Sequence, residues 1–167
     1  MGRNSGGNNV SGVPSVKGGA KTLSQASNTL KTAIASGNKS AIDKATKQVD
    51  GIVSQMGHEE VRKHGMAFHN TKNKTEYTKA MDSVFAKHAK TYNKTRADLT
   101  SVWGSANVAG MTPAREKRVG ELVGSLNKKD AKSFLNSVKS NKTKTQREEE
   151  TKQVIVGIIE KRLKRKK

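Results

Sequence analysis

The sequence predicts an all-α fold: a small helical domain of five to seven helices, with a flexible N-terminal arm and a basic C-terminal helix end. Apolar residues recur three and four positions apart along most of the chain, as on one face of a helix. Capping residues and glycines stand at the ends of these periodic stretches. The one strand-like apolar run, residues 154–159, has Glu-rich and Lys-rich flanks that favour a helix there too.

The N-terminal arm comprises residues 1–19, which hold six Gly and no acidic residue. Such a composition buries too little apolar surface to fold alone. We expect one all-α domain over residues 20–160 and a basic tail over residues 161–167. Because only 32% of the residues are hydrophobic, the composition predicts one small core.

The first two helices are predicted from Ala20 to Gly37 and from Ser40 to Gly57, and together they form a predicted helical hairpin. Ser40 and Asp43 resemble a capping box at the start of the second helix. A glycine ends each helix. In both helices the apolar residues share one face: Leu23, Ala26, Leu30, Ala33 and Ile34 in the first, and Ile42, Ala45, Val49, Ile52, Val53 and Met56 in the second.

The longest predicted helix opens with Asn73 and Glu76 and reaches at least Tyr92, with Trp103 as the alternative end. A shorter helix over residues 58–68 precedes it, although Gly65 weakens that segment. At about 100° per residue, the long helix separates an apolar face from a basic face. The apolar face carries Tyr77, Met81, Val84, Phe85, His88 and Tyr92, and the basic face carries Lys79, Lys87, Lys90 and Lys94.

Three more helices are predicted after a Gly- and Ala-containing break at residues 104–110. The second of them buries Ala131, Phe134, Leu135 and Val138, and a polar linker at residues 139–144 separates it from the third. The last helix starts acidic and ends basic, which suits the helix dipole. Three pairs of capping residues mark the starts: Thr112 with Pro113, Asn127 with Asp130, and Thr145 with Glu148.

Charge is the strongest functional signal in the sequence. The chain carries 33 Lys and Arg against 14 Asp and Glu, which gives a net charge of +19. This much like charge repels itself, and a polyanion relieves the repulsion by displacing condensed counterions. Nucleic acid, either RNA or DNA, is therefore the expected partner.

The basic residues form three clusters. Residues 62–96 hold nine Lys or Arg against two acids, residues 115–144 hold nine against three, and residues 161–167 hold six cations. Lys outnumbers Arg, which favours contacts with phosphates over the reading of base edges. The predicted nucleic-acid-binding residues are Lys72, Lys74, Lys79, Lys87, Lys90, Lys94, Arg96, Arg115, Lys117, Arg118, Lys128, Lys129, Lys161, Arg162, Lys164, Arg165 and Lys166.

Aromatic residues make up only 4% of the chain, and most of them fall on predicted core faces. A platform for single-stranded bases needs exposed aromatic rings, so the sequence does not favour one. Trp103 is the ambiguous residue, and we assign it to the core in preference to a base-stacking position.

No pattern in the sequence recommends catalysis. The chain has no Cys, which excludes disulfides and thiolate metal ligands. His58, His64 and His69 are the densest set of possible metal ligands, but their spacing does not match the HExxH pattern. No glycine-rich phosphate loop follows a predicted strand. We therefore expect no enzyme activity, cofactor, metal ion or small-molecule substrate.

The sequence also argues against a membrane partner. No apolar run approaches the length of a membrane span, and the first twenty residues lack the apolar core of a signal peptide. The basic residues are spread over the whole chain, without a large apolar face to insert into lipid. The expected setting is a virion or a cytoplasmic nucleoprotein assembly, and secretion is not expected.

The leading hypothesis from the sequence is a structural protein that packages nucleic acid, as viral coat and nucleocapsid proteins do. It would bind the phosphate backbone without sequence specificity, and it would assemble as a homo-oligomer because one subunit cannot enclose a genome. The alternative is a component of a ribonucleoprotein such as the ribosome, and the third possibility is a cellular nucleoid-compacting protein. The sequence leaves DNA or RNA, single or double strand, and helical or icosahedral assembly open.

Overall fold

A computed structural model describes residues 22–165, and within this range the chain is all-helical, with seven α-helices and no strand. The expected fold class is thus confirmed. The expected arm at residues 1–19, and Lys166 and Lys167 of the basic tail, lie outside the described residues. The helices are α1 (Leu23–Ser36), α2 (Lys39–Val53), α3 (His58–His69), α4 (Glu76–Ala109), α5 (Pro113–Gly124), α6 (Lys128–Ser140) and α7 (Gln146–Lys164).

The chain divides after Lys90 into two compact units, and α4 contributes residues to both. The buried side chains of the described residues form two clusters, one in each unit, whereas the composition predicts one core. The length of α4 supplies the physical reason. A helix of 34 residues is about 51 Å long, and one small core cannot cover its apolar side chains from end to end.

In the first unit, α1 and α2 pack against each other and bury the apolar faces predicted from the sequence. Thr22 and Gln25 form a capping box at the start of α1. Gly37 follows its last turn with φ at 71°, a left-handed conformation that glycine adopts without steric cost. The predicted end of α1 is therefore confirmed.

The bounds of α2 differ from the prediction. Its N-cap is Asn38, whose side chain accepts a hydrogen bond from the Ala41 amide, so the expected start at Ser40 is wrong. The helix ends at Val53, and Gly57 is the N-cap of α3 instead of the end of α2. A short connection thus separates the two helices, and Met56 within it is fully buried.

Helix α3 continues through Gly65, and the packing against α4 explains the glycine. A Cβ atom at this position would lie 3.3 Å from the Cβ atom of Phe85, which is fully buried. The start of α4 also differs from the prediction: Thr75, and not Asn73, accepts the cap hydrogen bond from the Thr78 amide. Asn73 instead adopts a positive φ of 54° in the connection.

In the second unit, α4 extends through the expected break at residues 104–110 and ends at Ala109. The buried residue Ala106 lies in this extension, and its carbonyl accepts a hydrogen bond from the buried Thr151 hydroxyl of α7. Helices α5 and α6 both pack against α7. The predicted N-caps Thr112, Asn127 and Thr145 are all confirmed by their side-chain hydrogen bonds.

None of the helices in the described part of the chain combines the length and the apolar character that crossing a membrane requires.

Candidate nucleic-acid interface

The most concentrated basic surface of the second unit lies on α6. At about 100° per residue, Lys128, Lys132 and Lys139 fall within about 40° of one another on the helix, and Lys129 lies about 60° beyond them. All four side chains are exposed. We call these four residues the α6 lysine face. An adjoining side of the helix holds the buried residues predicted from the sequence: Ala131, Phe134, Leu135 and Val138.

The α6 lysine face carries no exposed carboxylate. The only acidic residue of the helix, Asp130, is 6% exposed. At the far end of the face, the amino group of Lys139 lies 3.2 Å from the carboxylate of Glu160. The exposed side of α6 therefore presents more positive than negative charge to solvent.

The position of two of these lysines adds to the local positive potential. Lys128 and Lys129 occupy the first turn of α6, directly after its N-cap Asn127. The unsatisfied amide groups at a helix start already give that end a partial positive charge. Two lysines there raise the free energy of the folded protein, and a bound anion would lower it again.

Other predicted residues of the second unit also reach solvent. Lys117 is exposed on α5, and Lys161 and Lys164 are exposed in the last turn of α7, followed by Arg165. In α5, Arg118 differs, because its guanidinium contacts the carboxylates of Asp98 at 3.4 Å and Glu121 at 3.8 Å. Arg118 is thus partly neutralised. Lys166 lies outside the described residues.

The predicted basic face of α4 is exposed along its length, but two of its four lysines have acidic partners. Lys87 contacts Asp50 in the first unit, and Lys94 contacts Asp98 at 3.3 Å in the second. Lys79 and Lys90 are exposed in the first unit and make no ion pair with a described residue. Nearby, Lys72 is exposed in the connection between α3 and α4.

Five cations bind backbone carbonyls at the C-terminal ends of helices α3 to α6. The last carbonyls of a helix have no intrahelical partner and carry a partial negative charge, which a cation satisfies. Among the predicted binding residues, Lys74, Arg115 and Arg162 are held in this way. The five contacts are Lys74 with His69 and Thr71, Arg115 with Gly110, Arg147 with Val108, Arg162 with Leu126, and Lys152 with Asn141.

Arg96 is also engaged within the second unit. Its guanidinium carbon lies 4.7 Å from the centre of the Phe134 ring, and its Nε–H donates to the hydroxyl of Tyr92 at 3.2 Å. A cation over an aromatic face is attracted by the ring quadrupole. Arg96 therefore supports the second cluster, although the sequence places it in the binding site.

Sequence reasoning did not find a charged cluster between α2 and α4. Asp50 accepts hydrogen bonds from Lys87 and from Nε2 of His88, the latter at 2.8 Å. Burial raises the pKa of Asp50, but the hydrogen bonds and charge interactions with Lys87 and His88 together hold the pKa below its ordinary value of 3.8. No local sequence pattern indicates this contact, because Asp50 and His88 are 38 positions apart.

Two histidines of α3 lie close to neighbouring side chains. The His64 ring packs against Phe85 with 5.9 Å between ring centres, and His69 lies 3.6 Å from Asp82. Within residues 22–165, no group of three or more histidine and carboxylate side chains is arranged to hold a metal ion.

The structure thus separates the predicted site residues by their partners. Some are exposed without an acidic partner, some are in ion pairs, and some cap helix ends. It also adds Lys132 and Lys139 to the basic surface formed by Lys128 and Lys129. Both additions belong to the basic cluster at residues 115–144, and the helical spacing of four and seven from Lys128 and Lys132 could have identified them.

Comparisons with protein-family models, with curated proteins and with solved structures find no significant match to this chain.

Proposed function

We propose that the protein packages nucleic acid, binding the phosphate backbone through exposed lysines and assembling in many copies along it. The observation that carries the proposal is the α6 lysine face, a stripe of four exposed lysines on a helix whose one acidic residue, Asp130, is buried. The net charge of +19 supplies the attraction at long range.

The side-chain chemistry of this surface supports backbone contact without sequence reading. Lysine is a compact and strongly hydrated charge, well suited to a phosphate, whereas base-edge recognition relies on the planar fork of arginine. The α6 lysine face contains no arginine. Its contacts would therefore be insensitive to base sequence, as a packaging protein requires. The proposal assigns no reaction and no cofactor to the protein.

The test is a substitution of three lysines on α6, Lys128→Gln, Lys129→Gln and Lys132→Gln, in one variant. Each lost phosphate contact lowers the slope of log affinity against log salt by about 0.9 for duplex DNA and about 0.7 for single strands. We expect the slope to fall by about 2 to 3. The measurement is fluorescence anisotropy with a labelled oligonucleotide over a range of salt concentrations.

A matched control removes the same charge from α2. Lys39, Lys44 and Lys47 are exposed, but Asp43 lies on the same surface and contacts Lys39 at 3.8 Å. Changing these three lysines to glutamine should lower the slope by less than the α6 variant does. Equal losses in the two variants would show that only total charge matters, and would contradict the assignment of the site to α6.

Stoichiometry tests the packaging part of the proposal. A packaging protein binds in proportion to the length of the nucleic acid and associates with itself, so the number of bound copies should rise linearly with duplex length. Electron microscopy with and without nucleic acid should show assemblies only in its presence. A single bound copy on one folded RNA, with no self-association, would instead indicate a ribonucleoprotein component.

A further inference from the structure

All six aromatic side chains of the protein are engaged inside their own unit. Phe85 and Phe134 are buried, and the other four are partly buried against one of the two clusters. In the first unit, Phe68 packs against both Tyr77 and Phe85, at 6.2 and 5.6 Å between ring centres. The exposed surface of the described residues therefore offers no aromatic platform for a base.

Cations of the protein itself cover two of these rings. The amino group of Lys31 lies 4.8 Å from the centre of the Tyr77 ring, and Arg96 lies over Phe134. The single tryptophan, Trp103, meets Phe134 edge to face at 6.2 Å. Ring faces that would stack on bases are thus already in contact with protein groups.

Most arginine planes of the described residues, the other group that stacks on bases, are similarly engaged. Of the eight arginines, three bind helix-end carbonyls, one lies over Phe134, and one lies between two carboxylates. Most of the exposed basic side chains are therefore lysines. A lysine amino group contacts a phosphate but does not stack on a base. Arg62 and Arg165 remain exposed. The exposed basic surface of the described residues therefore recognises charge mainly through lysine, and it offers few groups that hold an unstacked base.

Because lysines are exposed while the aromatic rings and most arginines are engaged within the protein, we infer that the ligand of the proposed interface is double-stranded nucleic acid. The inference rests on the proposed function and names the form of nucleic acid that the same surface binds. Proteins that hold single strands combine a basic groove with aromatic rings, and each stacked base contributes about 1–3 kcal/mol. A surface of point charges gains no binding free energy from exposed bases. It gains the most binding free energy from the nucleic acid with the densest array of phosphates.

The expected preference follows from counterion release. The slope per phosphate contact is about 0.9 for a duplex and about 0.7 for a single strand, so six contacts give a difference of about 1.2. At about 0.15 M salt this difference corresponds to roughly tenfold tighter binding to the duplex. The preference should weaken as the salt concentration rises towards 1 M.

The experiment compares a DNA duplex of about 20 base pairs with a single strand of about 40 thymidines, so that total phosphate is matched. Affinity for each is measured with the full chain by fluorescence anisotropy at several salt concentrations. We expect the duplex to bind about tenfold more tightly at 0.15 M salt and to show the steeper slope. Equal or tighter binding of the single strand would overturn the inference while leaving the proposed function intact.

Trp103 supplies a second, independent readout because it is the only tryptophan in the chain. A base that stacks on the indole quenches its emission, whereas a duplex held through phosphates leaves it unchanged. We expect no quenching with either DNA. Quenching by the single strand would show a stacking site and would contradict the inference. If neither DNA binds even at low salt, the proposed function itself fails, a result distinct from a reversed preference.

Discussion

Removing the cation over Phe134 should destabilise the second unit without removing a nucleic-acid contact. Arg96 was predicted from the sequence to bind nucleic acid, but its guanidinium lies over the Phe134 ring and donates to Tyr92. A partly exposed cation–π contact contributes about 1 kcal/mol, and the hydrogen bond about 0.5–1 kcal/mol. We expect Arg96→Gln to lower the free energy of unfolding by about 1.5–2 kcal/mol.

A double-mutant cycle isolates the contact between the two side chains. Phe134→Leu keeps an apolar group in the cluster but removes the ring face, as well as the edge-to-face contact with Trp103. If Arg96 acts through the ring, the two changes together should cost about 1 kcal/mol less than the sum of their separate costs. Urea denaturation followed by Trp103 emission measures this, because the only tryptophan reports on the second unit.

Lys132→Gln serves as the charge-matched control for Arg96→Gln. It removes the same charge from an exposed position and should change stability by less than about 0.5 kcal/mol. In DNA titrations the control should lower the salt slope, whereas Arg96→Gln should leave the slope unchanged. The structural role of Arg96 would be refuted if the stability losses of Arg96→Gln and Phe134→Leu add within about 0.3 kcal/mol. It would also be refuted if Arg96→Gln lowers the salt slope of DNA binding.

Two further predictions concern the first unit. Asp50→Asn should lower stability by about 1 kcal/mol near neutral pH, because the folded pKa of Asp50 lies below 3.8 and the carboxylate stabilises the fold only while ionised. The difference from the wild type should shrink as the pH falls below 3.8, and a difference that persists at low pH would assign the effect to packing. Gly65→Val should cost about 1–3 kcal/mol, since a Cβ atom there meets Phe85 at 3.3 Å. The control Gly157→Ala, in an open part of α7, should raise the melting temperature, and a loss of stability in both variants would contradict the packing argument.

Local capping chemistry explains why the starts of α5, α6 and α7 follow from the sequence. Thr112, Asn127 and Thr145 each accept a hydrogen bond from the amide three residues later, an interaction contained in a short stretch of sequence. The predicted start of α2 is wrong because Asn38 and Ser40 are both good N-cap residues. The sequence alone gives no reason to choose Asn38, whose carboxamide captures the Ala41 amide.

Tertiary contacts explain why α4 continues past Gly104, which the sequence does not predict. Glycine inside a helix costs about 1 kcal/mol relative to alanine, so the sequence predicts a break that includes Gly104. In the structure the helix continues for five more residues and buries Ala106, whose carbonyl meets the Thr151 hydroxyl of α7. The partner that offsets the glycine is 45 positions away, beyond the range of any local pattern.

The basic side chains have two different roles, at long range and in direct contact, which the net charge alone does not distinguish. A cation bound to a helix-end carbonyl keeps its full charge, so Arg115 and Arg162 still contribute to the long-range potential of the protein. Part of each guanidinium is held by that carbonyl while the fold is intact. An ion pair such as that of Lys139 with Glu160 adds almost nothing at long range. In the proposed function, the net charge of +19 therefore sets how fast nucleic acid approaches, while the exposed lysines set how many counterions are released on contact. Association rates should follow total charge, and salt slopes should follow the α6 lysine face.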